Sequence, residues 1–325
     1  MKPLVVIGGP IHPDAIKQLE AETRVVVTDQ TTEEGMVAAA REAEGILFRI
    51  VPNCTRTLMA ACSRLKVVGR HGVGLDTVDL KAATDLGVAV VHAPGSNSDS
   101  VAEHALMLIL ACAKQTLDID RITRTADWKR PPKGNMELNG KTLGIVGMGN
   151  IGRRMARLGK ALGMRVIGYD KYVSDEEVRA RGAEPTPDLH AVLREADVVT
   201  CHTPHTPETH HMIDAKAVAQ MKDGVIFVNT SRGKTQEEHA LFEGLTRGKI
   251  RAAGIDVFEE EPVSADNPLL NLPNVVVSSH MAGVTVETHR AMAMQVTAEM
   301  LRVLRGEKPL VLGNPEVSSK LAHLK

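Results

Sequence analysis

Thr142-Leu143-Gly144-Ile145-Val146 runs directly into Gly147-Met148-Gly149-Asn150-Ile151-Gly152. An apolar, partly β-branched run that meets G-x-G-x-x-G reads as a strand turning sharply into a helix. The residues downstream support the helix: Ile151, Met155, Leu158 and Leu162 fall on one face, and Gly163 ends it. Chemistry accounts for the glycines. Gly147 permits a tight turn, Gly149 lets the backbone approach a pyrophosphate, and Gly152 lets helix and strand pack closely, with the helix N-terminus facing the phosphates. The next apolar run, 165–169, ends at Asp170. A carboxylate there would accept both hydroxyls of an adenosine ribose and repel a 2′-phosphate, although Lys171 beside it works against that preference. The expectation is a dinucleotide-binding βαβ unit that takes NAD rather than NADP.

Outward from this join the rhythm repeats. Apolar runs at 197–201, 225–228, 252–257 and 275–277 follow it, and runs at 4–7, 25–28, 45–48, 66–68 and 88–91 precede it. Fully apolar strands alternating with helices mark parallel sheets covered on both faces. The expected fold class is α/β, with two doubly wound parallel-sheet, Rossmann-like domains and a cleft between them. Turn formers cluster at Ala93-Pro94-Gly95-Ser96-Asn97, and Ser100-Val101-Ala102-Glu103 then has the spacing of a capping box. The helix it would open carries Leu106, Leu108, Ile109 and Leu110 on more than one face, as expected of an element buried between domains or subunits. A last helix at about 286–304, stopped by Gly306 and Pro309, leaves a tail expected to pack back on the first domain. The division is therefore a discontinuous flavodoxin-like domain, 1–98 with 285–325, around a dinucleotide-binding domain, 99–284.

Composition excludes several classes of function. With 39 Lys plus Arg against 40 Asp plus Glu, the chain has no net positive field for nucleic acid or anionic membrane. One Trp, two Tyr and four Phe leave no aromatic surface on which bases could stack. The longest charge-free apolar stretch, 105–113, is far short of the roughly 20 residues of a membrane span. Cys54, Cys62, Cys112 and Cys201 are irregularly spaced, as reduced core thiols are, and a cytoplasmic location is expected.

Three ionisable residues stand at or just beyond predicted strand ends of the second domain, where open parallel sheets hold ligands: Arg232, Glu261 and His280. Arg232 has the planar guanidinium that clamps a carboxylate. Glu261 closes an acidic run, 259–261, in which spacing alone does not select a glutamate. His280 precedes Met281-Ala282-Gly283.

Taken together, VVGRHGVGLDTVD (67–79), NSDSVAEH (97–104), LNGKTLGIVGMGNIG (138–152), NTSRGKTQEEHAL (229–241), GIDVFEEEP (254–262) and PNVVVSSHMAG (273–283) resemble the D-isomer-specific 2-hydroxyacid dehydrogenase family over nearly the whole chain. The phosphoglycerate dehydrogenase branch, without a regulatory tail, looks most similar. The resemblance implies an NAD-dependent enzyme that moves a hydride between nicotinamide and C2 of a D-2-hydroxy or 2-keto acid. D-3-phosphoglycerate/3-phosphohydroxypyruvate is the expected pair, and hydroxypyruvate or glyoxylate reduction is the alternative. It implies His280 as acid/base, Glu261 as its partner and Arg232 as the group binding substrate carboxylate and carbonyl. It further implies cofactor contacts from Gly147, Gly149, Asn150, Ile151, Gly152, Asp170, Thr203, Pro204, Thr209, Asn229, Thr230, Ser231, Asp256 and Gly283. Substrate contacts would come from Arg49, Gly72, Val73 and Gly74 of the first, substrate-binding domain, and the partner would be a second copy in a homodimer. Glutamine stands at the Glu261 position in the formate dehydrogenase branch, so formate is disfavoured.

Ser279 and Gln236-Glu237 depart from the family pattern, and His71 stands where small residues are common. His202, His205, His210 and His211 admit a zinc reading, against which stands a solvated loop on the cofactor side; no metal is expected. The basic residues Arg121, Arg124, Lys129, Arg130 and Lys133 admit a phosphate-binding reading against a solvated loop. A non-enzymatic alternative is an NAD-sensing, partner-binding protein, since the family looks to include corepressors; turnover separates it from the enzyme.

Overall fold

A computed structural model gives the structure of residues 2–49, 51–126 and 134–321. The chain forms two compact units, residues 1–97 with 284–325 and residues 98–283.

The first unit opens with five strands, β1 Leu4–Gly8, β2 Arg24–Thr28, β3 Gly45–Phe48, β4 Val67–Arg70 and β5 Ala89–Val91. Helices α1 Pro13–Glu22, α2 Glu33–Ala40, α3 Arg56–Ala61 and α4 Leu80–Leu86 connect them. All pairings are parallel, in the order β2-β1-β3-β4-β5. Strand alternation sends Val5, Ile7, Leu47 and Val67 to one core and Val6, Ile46, Phe48 and Val68 to the other. Side-chain caps on Thr32, Thr55 and Asp79 start α2, α3 and α4.

The second unit contains α5 Ser98–Lys114, α6 Thr116–Arg124, β6 Thr142–Val146, α7 Asn150–Ala161, β7 Arg165–Tyr169, α8 Asp175–Ala180, β8 Glu184–Pro185, α9 Leu189–Glu195, β9 Val198–Cys201, α10 Ala215–Gln220, β10 Val225–Asn229, α11 Glu238–Thr246, β11 Ile250–Ile255 and β12 Val275–Val277. Its seven parallel strands run β12-β11-β10-β9-β6-β7-β8. The order reverses between β9 and β6, which places a topological switch point beside the glycine-rich turn. Helix α5 lies on β10 and β11, and a Cβ at Gly254 would come within 2.7 Å of Leu108. Burial of Leu108 and Ile109 contributes about 2 kcal/mol each.

The chain then returns to the first unit with α12 Val286–Leu304, which Thr285 caps and Gly306, at φ 83°, follows. Val296 and Met300 of α12 pack where Gly69 has no side chain. The tail stays on this unit: the Asn314 side chain accepts from Val90 N at 2.9 Å and donates to Val88 O at 3.0 Å.

Two local expectations are corrected. Helix α5 begins at Ser98, so Ser100 is not its cap; its hydroxyl donates to Ala282 O at 2.9 Å. The fifth strand of the expected second series spans Ile250–Ile255 rather than 252–257, because its register with β10 begins at Ile250. Two-residue β8 was too short to stand out in the sequence. All four cysteines are buried, and burial pushes the thiols of Cys54, Cys112 and Cys201 up to about 12. Among the described residues no helix is long and apolar enough to cross a membrane.

Candidate active site

The glycine-rich turn sits at the end of β6, and each glycine meets a different constraint. Gly147 has φ 94°, and a Cβ there would lie 2.8 Å from the His202 backbone. A Cβ at Gly152 would strike the Gly147 carbonyl. Around Gly149 there is open space, and this N-cap of α7 makes no side-chain capping bond. The first-turn amides of α7 therefore face a clear approach, which suits a pyrophosphate. Asp170 is held at the end of β7: its carboxylate accepts from Met148 N at 2.8 Å and Tyr172 N at 2.9 Å. Lys171 is drawn aside to Glu208 at 2.7 Å, and Glu208 also accepts from the Tyr172 hydroxyl. The ends of β9 and β10 add two enclosed polar atoms without a partner among the described residues, His202 Nδ1 and Thr230 Oγ1. These features fit a dinucleotide.

The loop after β10 carries Arg232. Buried Asn229 organises it: its Oδ1 accepts from Ser231 N and Ser231 Oγ at 2.9 and 2.7 Å, and its Nδ2 lies 3.1 Å from Arg232 O and 2.9 Å from Gln236 Oε1. The side chains of Asn229 and Ser231 are thus engaged within the loop. Gln236 donates onward to Val257 O at 3.2 Å, and Gly233 packs so tightly on Phe258 that no Cβ fits. The Arg232 loop and the acidic loop are thereby locked together.

Glu261 is the glutamate of its run that reaches His280, with Oε2 2.7 Å from Nδ1; its Oε1 accepts from Phe258 N at 3.0 Å. Burial works to raise the Glu261 pKa. The bond and charge of His280, the Phe258 amide and the Arg232 charge outweigh it and hold the carboxyl below its ordinary value. Glu261 is therefore an acceptor, so Nδ1 of His280 donates and Nε2 is the ring nitrogen left to exchange a proton.

His280 has a left-handed backbone, φ 57°, and buried Asp256 fixes it there. Asp256 O accepts from His280 N at 2.7 Å, while its carboxylate accepts from Ser278 Oγ at 2.5 Å, Met281 N at 2.8 Å and Ala282 N at 3.0 Å. His104 of α5 lies 2.9 Å from Ser278 Oγ through its Nε2. The single hydroxyl hydrogen of Ser278 goes to the carboxylate, so His104 Nε2 donates to Ser278. Asp256 supports the His280 loop directly.

Residues 106–282 match the family model described as D-isomer specific 2-hydroxyacid dehydrogenase, NAD binding domain. The chain belongs to the D-isomer specific 2-hydroxyacid dehydrogenase family. It is 41% identical over 303 residues to D-3-phosphoglycerate dehydrogenase of Methanocaldococcus jannaschii, covering 93% of this chain and 58% of that protein. The chain thus spans a little over half the length of such relatives. It is 36% identical to glyoxylate reductase of Aeropyrum pernix, with 97% of each chain covered. A solved glyoxylate reductase from Paecilomyes thermophila superposes with a TM-score of 0.88 at 27% identity, over 96% of this chain and 98% of that one.

Within this family member, the first unit places its own candidates at strand ends. Arg49 follows β3, and Gly72-Val73-Gly74 follows β4. Gly72 O accepts from Ala93 N at 2.9 Å, and Val73 O accepts from His92 Nδ1 at 2.8 Å. The amides of Val73 and Gly74 have no acceptor among the described residues. Thr209, by contrast, is engaged in its own loop, donating to Pro204 O at 2.7 Å.

The histidine-rich loop divides. The ring of His202 bonds Thr200 Oγ1 at 2.9 Å, and burial pushes it down to about 3, so it is not solvated. His205 and His210 lie 3.2 Å apart, His210 stacks on His211 at 4.0 Å, and His211 meets Glu259 at 3.2 Å. Among the described residues no group of three His, Cys, Asp or Glu is arranged to hold a metal. Arg121 and Arg124 pair with Asp118 and Asp120, while Lys129, Arg130 and Lys133 lie outside the described residues. Sequence reading did not single out His104 or Ser278 for the His280 loop; Ser278 two residues before His280 was the available signal.

Proposed function

We propose that the chain is an NAD-dependent D-2-hydroxyacid dehydrogenase whose substrate pair is D-3-phosphoglycerate and 3-phosphohydroxypyruvate. The observation that carries the catalytic reading is the 2.7 Å contact between His280 and Glu261, with the Arg232 charge felt by the same carboxylate. The glycine-rich turn and Asp170 would hold NADH, which when bound would supply a hydride for C2 of the keto acid. His280 Nε2 delivers the proton to the carbonyl oxygen, and Glu261 stabilises and orients the imidazolium through Nδ1. Arg232 binds the carboxylate and offsets the charge that develops on the carbonyl oxygen. Oxidation of the hydroxy acid runs these steps in reverse, with neutral His280 taking the hydroxyl proton. Substrate is further held by Arg49 and the Val73 and Gly74 amides.

Cofactor contacts are assigned to Gly147 through Gly152, Asp170, Thr203, Pro204, Thr209, the 229–231 loop, Asp256 and Gly283. The Asp170 carboxylate, with Lys171 diverted to Glu208, favours NAD over NADP. We assign the chain to a homodimer in the cytoplasm, the former testable by sedimentation. Glyoxylate or hydroxypyruvate reduction is the second reading, favoured by the near-complete coverage of the Aeropyrum relative. Following NADH absorbance with 3-phosphohydroxypyruvate, hydroxypyruvate and glyoxylate tests both. Turnover that disappears in His280→Ala supports the enzyme, and binding of NADH with no turnover of any acid overturns it.

A further inference from the structure

The second unit has a cavity at the N-terminal ends of β11 and β12, the opposite ends from those that carry Asp256 and His280. Strand β11 meets it through an irregularity. Val225 pairs with Ile250 and Ile226 with Ala252, so Arg251 is an extra residue in the ladder between β10 and β11. A bulge of this kind re-aims the side chain it carries. Asn274 secures it, donating through Nδ2 to Arg251 O at 3.1 Å and to Leu245 O at 3.5 Å. Across from the bulge, α5 gives way to α6 at Gln115, whose backbone is left-handed at φ 51°. Gln115 and Arg251 both line the cavity, which has a volume of about 130 Å³. Ala111, Cys112 and Leu117 form its wall on the helical side, and Pro273 and Val276 on the sheet side.

The Arg251 guanidinium is not satisfied by the protein. Its Nε is enclosed and has no hydrogen-bond partner, and Arg251 makes no ion pair among the described residues. Gly134 lies against Nη2, where a Cβ would come within 2.8 Å, so bare backbone rather than a carboxylate closes that side. Asp118 is the acidic residue in the lining, but it pairs with Arg121 at 3.0 Å. An enclosed N–H without an acceptor is costly, and Nε with Nη presents a fork that matches the two oxygens of a carboxylate. The rest of the lining selects what that carboxylate is attached to. Cys112 adds no charge, because burial pushes its thiol up to about 12. An apolar wall disfavours the strongly hydrated phosphate and sulfate ions and suits a hydrocarbon body. The space amounts to about four waters' share of liquid volume, which restricts that body to a short chain.

We propose that Arg251, on the bulge of β11, anchors a site for a small aliphatic monocarboxylate on the second unit. The carboxylate pairs with the guanidinium fork, and the short chain lies against Ala111, Leu117 and Val276. Between Ala252 in the lining and Asp256 at the end of the strand run about 13 Å of extended chain. A molecule in the cavity therefore stays clear of the groups assigned to proton transfer, and its place is that of an effector rather than a substrate. The site stands independently of the dehydrogenase reading. Because the ligand binds only the folded unit, occupancy stabilises that unit by mass action.

Propionate is the probe, followed through its methyl resonance by saturation-transfer difference NMR in the intact protein at constant ionic strength, with propionamide as the uncharged control. The expected result is a saturable signal in the wild type that persists in Arg232→Gln, where the candidate active site has lost its guanidinium. Adding Arg251→Met to Arg232→Gln should weaken the affinity by at least about tenfold, and propionamide should give no saturable signal. Ala111→Leu keeps the guanidinium but fills the cavity from α5, so it should abolish the signal; it decides the outcome if circular dichroism shows that Arg251→Met does not fold. A signal that Arg232→Gln removes belongs to the candidate active site and overturns the proposal. Equal affinity with and without Arg251, or equal signals from propionamide and propionate, overturns it as non-specific binding. No saturable signal in any form of the protein, as when a second copy covers the cavity, overturns it too. None of these readouts uses turnover, so failure of the dehydrogenase reading leaves the test intact.

Discussion

Ser278 Oγ donates to the buried Asp256 carboxylate at 2.5 Å, from the strand end that also carries His280. Replacing Ser278 by Ala removes this donor and leaves His104 Nε2 facing a methyl group. Since Asp256 also fixes the His280 backbone, we expect a stability loss of about 1–3 kcal/mol and a lower kcat. Urea denaturation measures the first and NADH-coupled turnover the second; an unchanged midpoint would show that the bond has no weight.

Glu261→Gln keeps an acceptor for His280 Nδ1 but removes the negative charge that stabilises the imidazolium. The expected loss in kcat for keto-acid reduction is about 10²-fold, with the alkaline limb of the kcat/KM profile, where the proton donor is lost, displaced to lower pH. A variant with wild-type rate and profile would dissociate Glu261 from the proton transfer.

Gly152→Ala directs a methyl group into the Gly147 carbonyl, so the turn and α7 must separate. NADH affinity should fall by at least about tenfold, or roughly 1.4 kcal/mol, as measured by nucleotide fluorescence titration, while far-UV circular dichroism keeps its shape. Retained affinity would mean that the turn relaxes without consequence for the phosphates.

Asp170→Ala should reduce the preference for NADH over NADPH, read as a ratio of kcat/KM values. It also removes the acceptor for the Met148 and Tyr172 amides, so a stability loss of about 1 kcal/mol should accompany it. An unchanged ratio would place discrimination elsewhere.

The buried rings of His71 and His202 give acid sensitivity with a definite sign. Their folded values, about 4 and about 3, lie below the ordinary 6.5. Between these limits the unfolded chain binds protons that the folded chain refuses, so stability rises with pH up to about 6.5 and falls on acidification. The slope approaches about 1.4 kcal/mol per pH unit per group. Denaturation at several pH values should show a shallower slope in His71→Asn.

The βα order and the glycine turn were legible because apolar periodicity and turn chemistry are local. Arg232, Glu261 and His280 stood out through their places at strand ends. Other features depend on folding. Nothing in the spacing of Glu259, Glu260 and Glu261 tells that the first turns to His211 and the third to His280. Ser100 has the sequence of a cap, yet it lies inside α5 because the helix starts earlier and its hydroxyl finds Ala282. Asn229 reads as a ligand residue, but its amide is engaged by Ser231, Arg232 and Gln236. His12 and His289 meet only once the chain has returned to its first sheet.

Helix α12 has a consequence for biosynthesis. Val5, Ile7, Leu47 and Val67 leave the ribosome early, but Val296 and Met300, which pack against their face, are translated only after the whole of residues 98–283. Residues 98–283 form a continuous unit in between. The strands made first are therefore completed only after the second unit has been made, and until then one aliphatic face of their sheet has α1 but not α12 to cover it, a period in which chaperone capture competes with aggregation.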